Sequence, residues 1–326
     1  MDNSRFDMAG LNDFAEEWLS ENDFIVAHTS GSTGKPKEIK LPKADMWVSA
    51  LATNKRFHIN SGSTIAAPLS VNYIAGKMMW VRAHEASCHL LDMPVSNEVI
   101  VSRDIDLLAV VPSQVESLLS QSEAAGRIKN MIIGGAPLSA NLRTKLIEKG
   151  FNAYMTYGMT ETCSHVALSK ISDTETHFEA MPGISFDCDE RGCLIINAPQ
   201  YSFRRLVTND IVKLIDTTSF TWVGRYDNVI NSGGIKISPE QLENRIKEFI
   251  DLDFYVVGEP DEKWGQIAVM IFEGDKNREL EIIEILRSKL DHRLCPKKAI
   301  AVKSLPKTSN GKIRRITIGE IKNQVY

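Results

Sequence analysis

The sequence has 326 residues, of which 43% are hydrophobic and 25% are charged, the balance of a globular protein with one or two buried cores. Lys and Arg number 38 and Asp and Glu 42, a formal net charge of −4, so the composition excludes intrinsic disorder and argues against nucleic acid as a main partner. No window approaches about 18 uninterrupted apolar residues, and residues 1–11 lack the apolar run of a signal peptide. We therefore expect a cytoplasmic protein without stable membrane insertion.

The cysteines and histidines give no metal or disulfide pattern. The five cysteines form no C-x-x-C pair and are odd in number, which indicates reduced thiols rather than a zinc knuckle or a disulfide framework. The seven histidines likewise lack metal-binding spacing.

Short apolar runs alternate with helical patterns through the first two-thirds of the chain, which predicts an α/β fold. Helices are predicted near residues 43–57, 72–84, 113–121 and 139–149. The predicted strands are Phe24–His28, Thr64–Ala67, Leu107–Val111, Met131–Ile133, Leu194–Asn197, Val207–Ile215 and Phe220–Val223.

After Arg225 the pattern changes to β-α-β-β-α-β, which is typical of a small α+β domain. Ser238 and Pro239 provide an N-cap and a first-turn proline, with Gln241 as a capping-box partner. The helix that follows has an apolar stripe of Leu242, Ile246, Phe249 and Ile250. The prediction is a large α/β domain over residues 1–225 and a small, mobile α+β domain over 226–326, with its hinge at Asp227.

A loop rich in glycine, hydroxyl groups and lysine follows the first strand. It reads Thr29, Ser30, Gly31, Ser32, Thr33, Gly34, Lys35, Pro36 and Lys37. Glycines let backbone N–H groups converge on phosphate oxygens, while hydroxyls add donors and lysines add charge. The loop is not a P-loop, because Thr29 stands in place of the first glycine and Pro36 in place of the Mg²⁺-binding Ser/Thr. A flexible hydroxyl-rich hairpin is the alternative.

This loop resembles the signature [ST]-S-G-[ST]-T-G-x-P-K-G of the adenylate-forming superfamily of acyl-CoA ligases, peptide-synthetase adenylation domains and luciferases. Glu38 replaces the final glycine, and His28 replaces the usual preceding aromatic. Further motifs follow in the family order: Tyr157 to Glu161 for Y-G-x-T-E, Thr208 to Asp210 for T-G-D, Trp222 to Asp227 with Gly233, Gly234 and Pro239-Glu240 for the hinge region, and Leu305 to Lys312 for L-P-K-T-x-x-G-K. Such enzymes use ATP, Mg²⁺ and, in the ligases, CoA.

The resemblance implies roles for individual residues. The loop from Thr29 to Lys35 would bind phosphate. The adenine side would be lined by Gly134, Gly135, Ala136, Tyr157 and Gly158. The ribose would be held by Asp210 and Arg225. Thr160 would contact the α-phosphate, Glu161 would hold Mg²⁺, Gly233 and Gly234 would leave room for pantetheine, and Lys312 would be the catalytic lysine.

Each of these assignments has an ordinary structural alternative. Thr160-Glu161 is also typical of a capped helix start, and Gly134 to Pro137 is also typical of a turn. Asp210 and Arg225 could form an internal salt bridge, and Lys312 could be an ordinary solvated lysine. Asn209, where the family has glycine, tolerates a positive φ better than most residues.

Three stretches, residues 68–83, 157–165 and 224–234, further resemble the compact o-succinylbenzoate–CoA ligases of menaquinone synthesis. Ser164 and His165 fall where family members line the acyl pocket, and Cys163 is expected to be a packed thiol. Asn72 and Tyr73 replace the usual histidine region. Arg82 is a candidate partner for the second carboxylate of such a substrate, with a surface arginine that snorkels from an amphipathic helix as the alternative.

The resemblance therefore implies an ATP-dependent acid–CoA ligase that works through an acyl-adenylate, with o-succinylbenzoate as the expected acid. The alternatives are another aryl or acyl acid, an adenylation domain serving a carrier protein, and a truncated, non-catalytic nucleotide-binding module. The phosphate loop begins at residue 29, earlier than in ordinary family members, so part of the large domain is expected to be missing. The oligomeric state, monomer or homodimer, stays open.

Overall fold

The computed structural model describes residues 11–28, 38–172, 176–307 and 313–321. The predicted phosphate loop and Lys312 lie outside the described residues. The chain divides into two compact units. The first contains residues up to Asp187 together with 195–206 and 214–221, and the second contains 188–194, 207–213 and the chain from Trp222 onward.

The helices are α1 (Leu11–Leu19), α2 (Lys43–Phe57), α3 (Ile74–Ala86), α4 (Pro112–Leu119), α5 (Ala124–Arg127), α6 (Ala140–Glu148), α7 (Pro239–Ile246), α8 (Arg278–Lys289) and α9 (Ile318–Ile321). The strands are β1 (Phe24–His28), β2 (Glu38–Pro42), β3 (Thr64–Ala66), β4 (His89–Leu91), β5 (Leu107–Val110), β6 (Met131–Ile133), β7 (Ala153–Gly158), β8 (His165–Lys170), β9 (Phe178–Ala180), β10 (Ser185–Cys188), β11 (Cys193–Ala198), β12 (Arg204–Asp216), β13 (Ser219–Arg225), β14 (Ile230–Ser232), β15 (Ile235–Ile237), β16 (Phe254–Asp261), β17 (Gly265–Glu273) and β18 (Lys298–Val302). In the described part of the chain, 3-10 turns cover Thr160–Thr162 and Tyr226–Asn228.

The first unit contains a mixed sheet whose strands follow the order β4-β3-β5-β6-β7-β8-β9. Strands β3 to β7 pair in parallel, and β8 and β9 continue antiparallel. Because parallel strands are covered on both faces, β5 and β6 are buried along their whole length. Their side chains pack against Val115 and Leu118 of α4 and Leu146 of α6.

An aromatic cluster packs α1 against α3. The ring of Trp80 lies 5.5 Å from that of Phe14 and 6.1 Å from that of Trp18, and all three side chains are buried. Gly76 lets α3 approach the preceding loop, because a Cβ at this position would lie 2.4 Å from the carbonyl oxygen of Ser70. These contacts fix the position of the helix that carries Arg82.

The C-terminal part of the second unit is a sheet of order β15-β14-β17-β16, with β18 parallel to β17. Alternate residues of β16 and β17 face opposite sides, so Val256 and Met270 pack with α7 and α8 whereas Tyr255 and Val269 pack with Ile316. Ser238 Oγ accepts a hydrogen bond from the Gln241 N–H, as expected of an N-cap. The predicted α+β pattern is confirmed.

No helix among the described residues has the length and apolar character needed to cross a membrane.

Candidate active site

Arg82 is a buried cation on α3. Only 2% of the residue is exposed. Its Nη2 donates to Ser164 Oγ at 2.5 Å and its Nη1 donates to Met79 Sδ at 3.3 Å, but its Nε–H has no hydrogen-bond partner. Burial lowers the pKa of Arg82 to about 10, and the partial compensation comes from the Tyr201 hydroxyl rather than from a carboxylate. The alternative of a snorkelling surface arginine is therefore wrong.

His165, at the start of β8, continues this polar cluster. Its Nδ1 lies 3.3 Å from Ser164 Oγ and its Nε2 lies 3.2 Å from Thr53 Oγ1 on α2. Burial, and secondly the charge of Arg82, lower the pKa of His165 well below its ordinary value. The imidazole is therefore neutral at physiological pH.

The local sequence explains why Ser164 and His165 reach Arg82. A Cβ on Gly158 would lie 2.3 Å from the Ser164 carbonyl oxygen, so only glycine permits this close approach. The pairing of β7 with β8 shifts register between Tyr157 and Gly158. Cys163, at φ +61°, reverses the chain just before Ser164. Burial raises the pKa of the Cys163 thiol to about 12, consistent with a packed, unreactive cysteine.

Asn72 and Tyr73 do not join this cluster. Both are exposed just before the first turn of α3, and Tyr73 is 40% exposed. The nine residues from Tyr73 to Arg82 correspond to about 13 Å along the helix axis. Asn72 and Tyr73, which the sequence analysis placed with Arg82 in the acyl pocket, therefore lie at the opposite end of α3 from Arg82.

The predicted adenine-side residues lie at one edge of the sheet. Gly134 follows β6, Tyr157 is the last but one residue of β7, and these parallel strands pair through Ile133 and Met155. A Cβ on Gly134 would lie 2.7 Å from Thr156 Oγ1, and Gly135 has φ +85°. The carboxyl edge of a parallel sheet is where α/β proteins commonly bind ligands.

Two features of this edge bear on the predicted nucleotide contacts. The ring of Tyr157 packs edge-on against Phe220 at 5.1 Å, so its orientation is fixed. Thr160 and Glu161 form the 3-10 turn that follows β7. Glu161 is exposed and has no ion pair or hydrogen bond among the described residues.

In the second unit, Asp210 is buried, with 6% of the residue exposed. Trp222 Nε1 donates to Asp210 Oδ1 at 3.2 Å, and Arg225 Nη1 lies 3.7 Å from the same oxygen. The salt bridge weighed as an alternative is therefore present, although its length leaves the carboxylate able to accept stronger hydrogen bonds.

Asn209 has a different role from the one expected. It lies in the extended strand β12 and does not adopt a positive φ, so its tolerance of that conformation is not needed here. Its Nδ2 instead donates to both oxygens of Asp227, each at 3.2 Å. Arg225 Nη2 donates to the same carboxylate at 3.0 Å. The predicted hinge residue is thus held by two neighbouring side chains.

The two glycines after the predicted hinge differ from each other. Gly233 has φ +58°, and a Cβ there would lie 2.6 Å from the ring of Trp264. Gly234 has φ +83° with open space where a Cβ would lie. Gly234 is an exposed residue with open space beside it.

Within the described ranges, no group of three or more His, Cys, Asp or Glu side chains is arranged to hold a metal ion. Mg²⁺ needs no such group, since it commonly binds one or two carboxylates together with phosphate oxygens and water. The donor chemistry of Glu161 fits that mode.

Sequence reasoning missed Thr53 and Trp222. Thr53 belongs to a buried polar stripe of α2 with Asp45 and Ser49, each four residues apart. That spacing puts all three on one helix face, which could have indicated a polar contact inside the fold. Trp222 was noted only as part of a motif and not as a donor to Asp210.

The sequence was compared with family models and known proteins. The model described as "AMP-binding enzyme" matches residues 3–190, and that described as "AMP-binding enzyme C-terminal domain" matches residues 252–312. The 2-succinylbenzoate–CoA ligase of Bacillus cereus is 25% identical over 92% of this chain and 70% of its own length. That of Listeria monocytogenes is 25% identical over 94% and 71%.

Solved structures give the same picture of the fold. An acyl-CoA synthetase (AMP-forming)/AMP-acid ligase II-like protein from Dyadobacter fermentans is 35% identical, with 97% of this chain and 93% of that chain covered and a TM-score of 0.63. The o-succinylbenzoate CoA synthetase of Bacillus subtilis, in complex with its acyl-adenylate intermediate, is 20% identical over 92% of this chain and 69% of its own, with a TM-score of 0.77. The latter likeness is one of fold.

Proposed function

Because the chain belongs to the AMP-binding enzyme family, we propose that it is an acid–CoA ligase that works through an acyl-adenylate. In the first half-reaction a carboxylate oxygen attacks the α-phosphorus of ATP and pyrophosphate leaves. In the second, the thiol of CoA attacks the acyl carbon and AMP leaves. The acid that we propose is 2-succinylbenzoate, which places the reaction in menaquinone biosynthesis.

The buried guanidinium of Arg82 carries this choice of acid. A buried charge without an opposite charge is costly, and Arg82 has no carboxylate partner among the described residues. A dicarboxylic acid has one carboxylate to activate and a second to pair with Arg82. The curated relatives named as 2-succinylbenzoate–CoA ligases support the same substrate.

We assign the nucleotide to the residues that carry the family motifs. Asp210 would accept hydrogen bonds from ribose hydroxyls, its orientation held by Trp222. Gly134 to Ala136 and Tyr157 would face adenine from one edge of the sheet. Gly233 and Gly234 would leave room for pantetheine, as the open volume at Gly234 allows.

The catalytic groups proposed are Thr160, Glu161 and Lys312. Thr160 would donate to the α-phosphate from the 3-10 turn, and Glu161 beside it would hold Mg²⁺. Bound Mg²⁺ would neutralise phosphate charge. Lys312, outside the described residues, would stabilise the charge that develops when two anions approach.

Pyrophosphate release with a panel of acids tests the proposal. The panel contains 2-succinylbenzoate, its two monomethyl esters, benzoate and an aliphatic acid, and mass spectrometry identifies the CoA product. We expect release that depends on Mg²⁺ and is greatest with 2-succinylbenzoate. Greatest release with another acid would change the substrate. ATP binding without release with any acid would instead indicate the non-catalytic nucleotide-binding module.

A further inference from the structure

The donors and acceptors around His165 determine the direction of every hydrogen bond in the cluster. Thr53 Oγ1 donates its single hydrogen to the Ser49 carbonyl oxygen at 3.0 Å. Since that hydrogen is used, Thr53 Oγ1 faces the imidazole as an acceptor, and the proton at 3.2 Å must lie on His165 Nε2. The neutral ring then has an unprotonated Nδ1.

The same reasoning continues to the arginine. Ser164 Oγ accepts from Arg82 Nη2, so its own hydrogen is available to His165 Nδ1 at 3.3 Å. The result is a chain of hydrogen bonds in one direction, from Arg82 through Ser164, His165 and Thr53 to a backbone carbonyl of α2. Ser164, His165 and Thr53 each use their side-chain hydrogen and accept one hydrogen bond in this single arrangement.

This arrangement fixes one end of the guanidinium. The chain holds Nη2, and Met79 Sδ lies against Nη1. The Nε–H is the part of the group left without a partner. A planar guanidinium held at one end presents its Nε edge in a constant orientation, which suits hydrogen bonding with a carboxylate.

We propose that His165 and Thr53 are positioning residues that hold Ser164 as an acceptor and thereby aim the Nε edge of Arg82 at the second carboxylate of a dicarboxylic substrate. This inference rests on the proposed function. It assigns specificity to Thr53, a residue on a helix that carries none of the family motifs, and it makes His165 a member of the supporting chain rather than a ligand of the acid.

The reverse arrangement would weaken the site. If His165 carried a proton on Nδ1, the Ser164 hydroxyl could not donate to that nitrogen. The Ser164 hydrogen would then have to point elsewhere, and Ser164 Oγ would no longer be held as an acceptor for Arg82 Nη2. Loss of the Thr53 acceptor leaves the buried Nε2–H unsatisfied and removes the constraint that selects the tautomer. The loss should appear as weaker discrimination between the dicarboxylic acid and its monomethyl ester.

The test compares Thr53→Val with Thr53→Ser. Valine keeps the shape and removes the hydroxyl, whereas serine retains it. Thr144→Val on α6 is the matched control, because Thr144 Oγ1 makes the same bond to the carbonyl four residues earlier but is exposed. For each variant, KM and kcat are measured with 2-succinylbenzoate and with the monomethyl ester that is the better substrate.

We expect Thr53→Val to raise KM for the diacid about five- to tenfold, as for loss of one buried hydrogen bond, with a smaller change in kcat. The effect on the ester should be smaller, Thr53→Ser should restore KM, and Thr144→Val should match the wild type. Equal loss with both acids, or no loss with the diacid, would overturn the inference.

A spectroscopic measurement separates this inference from the proposed function. In ¹⁵N-histidine spectra at pH 7, we expect His165, assigned by comparison with His165→Gln, to be neutral and protonated on Nε2. A cationic ring or the Nδ1–H tautomer would overturn the proposed hydrogen-bond arrangement even in an active ligase. If the wild type activates no acid, the proposed function fails. A neutral ring protonated on Nε2 would still establish the series of hydrogen bonds from Arg82 to Thr53.

Discussion

Arg315 and Glu243 form a largely buried ion pair that ties the segment 313–321 to helix α7. Arg315 Nη2 donates to Glu243 Oε2 at 2.7 Å, and Nη1 donates both to Glu243 Oε1 and, at 2.8 Å, to the Val256 carbonyl oxygen. The Val256 N–H donates to the same carboxylate at 2.6 Å. The two side chains therefore link α7, β16 and the last described segment.

Glu243→Gln should destabilise the second unit, because it removes the carboxylate that accepts hydrogen bonds from both Nη atoms of Arg315. The negative charge of Glu240 remains, but its Oε1 lies 3.6 Å from Arg315 Nη2. We expect a loss of about 3 kcal/mol, the lower end for breaking a buried pair, since the Arg315 side chain is 24% exposed. Faster hydrogen exchange of β16 and β17 amides measures it. Asp253→Asn, which breaks the exposed pair with Lys307, is the control and should cost under about 1 kcal/mol. Equal protection in both variants would contradict the prediction.

Arg82→Met should discriminate between acids. Loss of a buried, hydrogen-bonded charge pair costs about 2–5 kcal/mol, so kcat/KM for 2-succinylbenzoate should fall at least about 30-fold. The fall for a monomethyl ester should be several-fold smaller. Lys77→Met on the same helix is the control, because Lys77 pairs with Glu17. An equal fall with both acids in Arg82→Met would argue against an anion partner.

Asp210→Asn should chiefly weaken ATP binding. Hydrogen bonds to a charged group contribute about 1.5–3 kcal/mol, so KM for ATP should rise roughly 10- to 150-fold with a smaller change in kcat. Trp222→Phe removes only the donor that orients the carboxylate and should have a smaller effect. An unchanged KM for ATP in Asp210→Asn would place the ribose elsewhere.

Stability of the first unit should fall as the pH drops below about 6.5, the ordinary histidine pKa. Because burial lowers the pKa of His165 in the folded chain, the unfolded chain binds one more proton between the two pKa values. The slope from this group is at most about 1.4 kcal/mol per pH unit. The denaturant midpoints at pH 7.5 and 5.5 should therefore differ less in His165→Gln than in the wild type. Some pH dependence should remain in the variant, because burial also lowers the pKa of His84. An identical pH dependence in the two proteins would show that His165 is not buried as a neutral ring.

Lys312 and Gly234 should affect different half-reactions. Lys312→Ala should nearly abolish formation of acyl-AMP yet still convert supplied acyl-AMP and CoA to thioester, because no bridging charge is needed in the second step. A bulky residue at Gly234 should do the reverse, since it fills the open volume and is strained at φ +83°. Equal impairment of both half-reactions in Lys312→Ala would indicate a folding defect.

The periodicity of the sequence was enough to predict many of the elements. Strand β1 and helix α2 have the predicted ends, and Ser238 caps α7 as predicted. Of the predicted apolar stripe, Leu242 and Ile246 lie in α7, whereas Phe249 and Ile250 come after its last residue and pack in the same core. Burial of alternate or every third to fourth residue is a local property, which the order of residues records directly. The motifs likewise identified Arg82, Ser164, His165 and Asp210 as candidates one by one.

Burial and partnership were decided only by the tertiary structure. An arginine on a helix can either snorkel or be enclosed, and α1 with its two aromatic rings is among the elements that enclose α3. Arg82 and Ser164 are 82 positions apart, and Thr53 and His165 are 112 apart, so no local pattern could pair them. The hydrogen bonds from Asn209 to Asp227, 18 positions away, could not be predicted for the same reason. Sequence determines which groups a residue can offer, whereas the fold determines which partners and how much water each group meets.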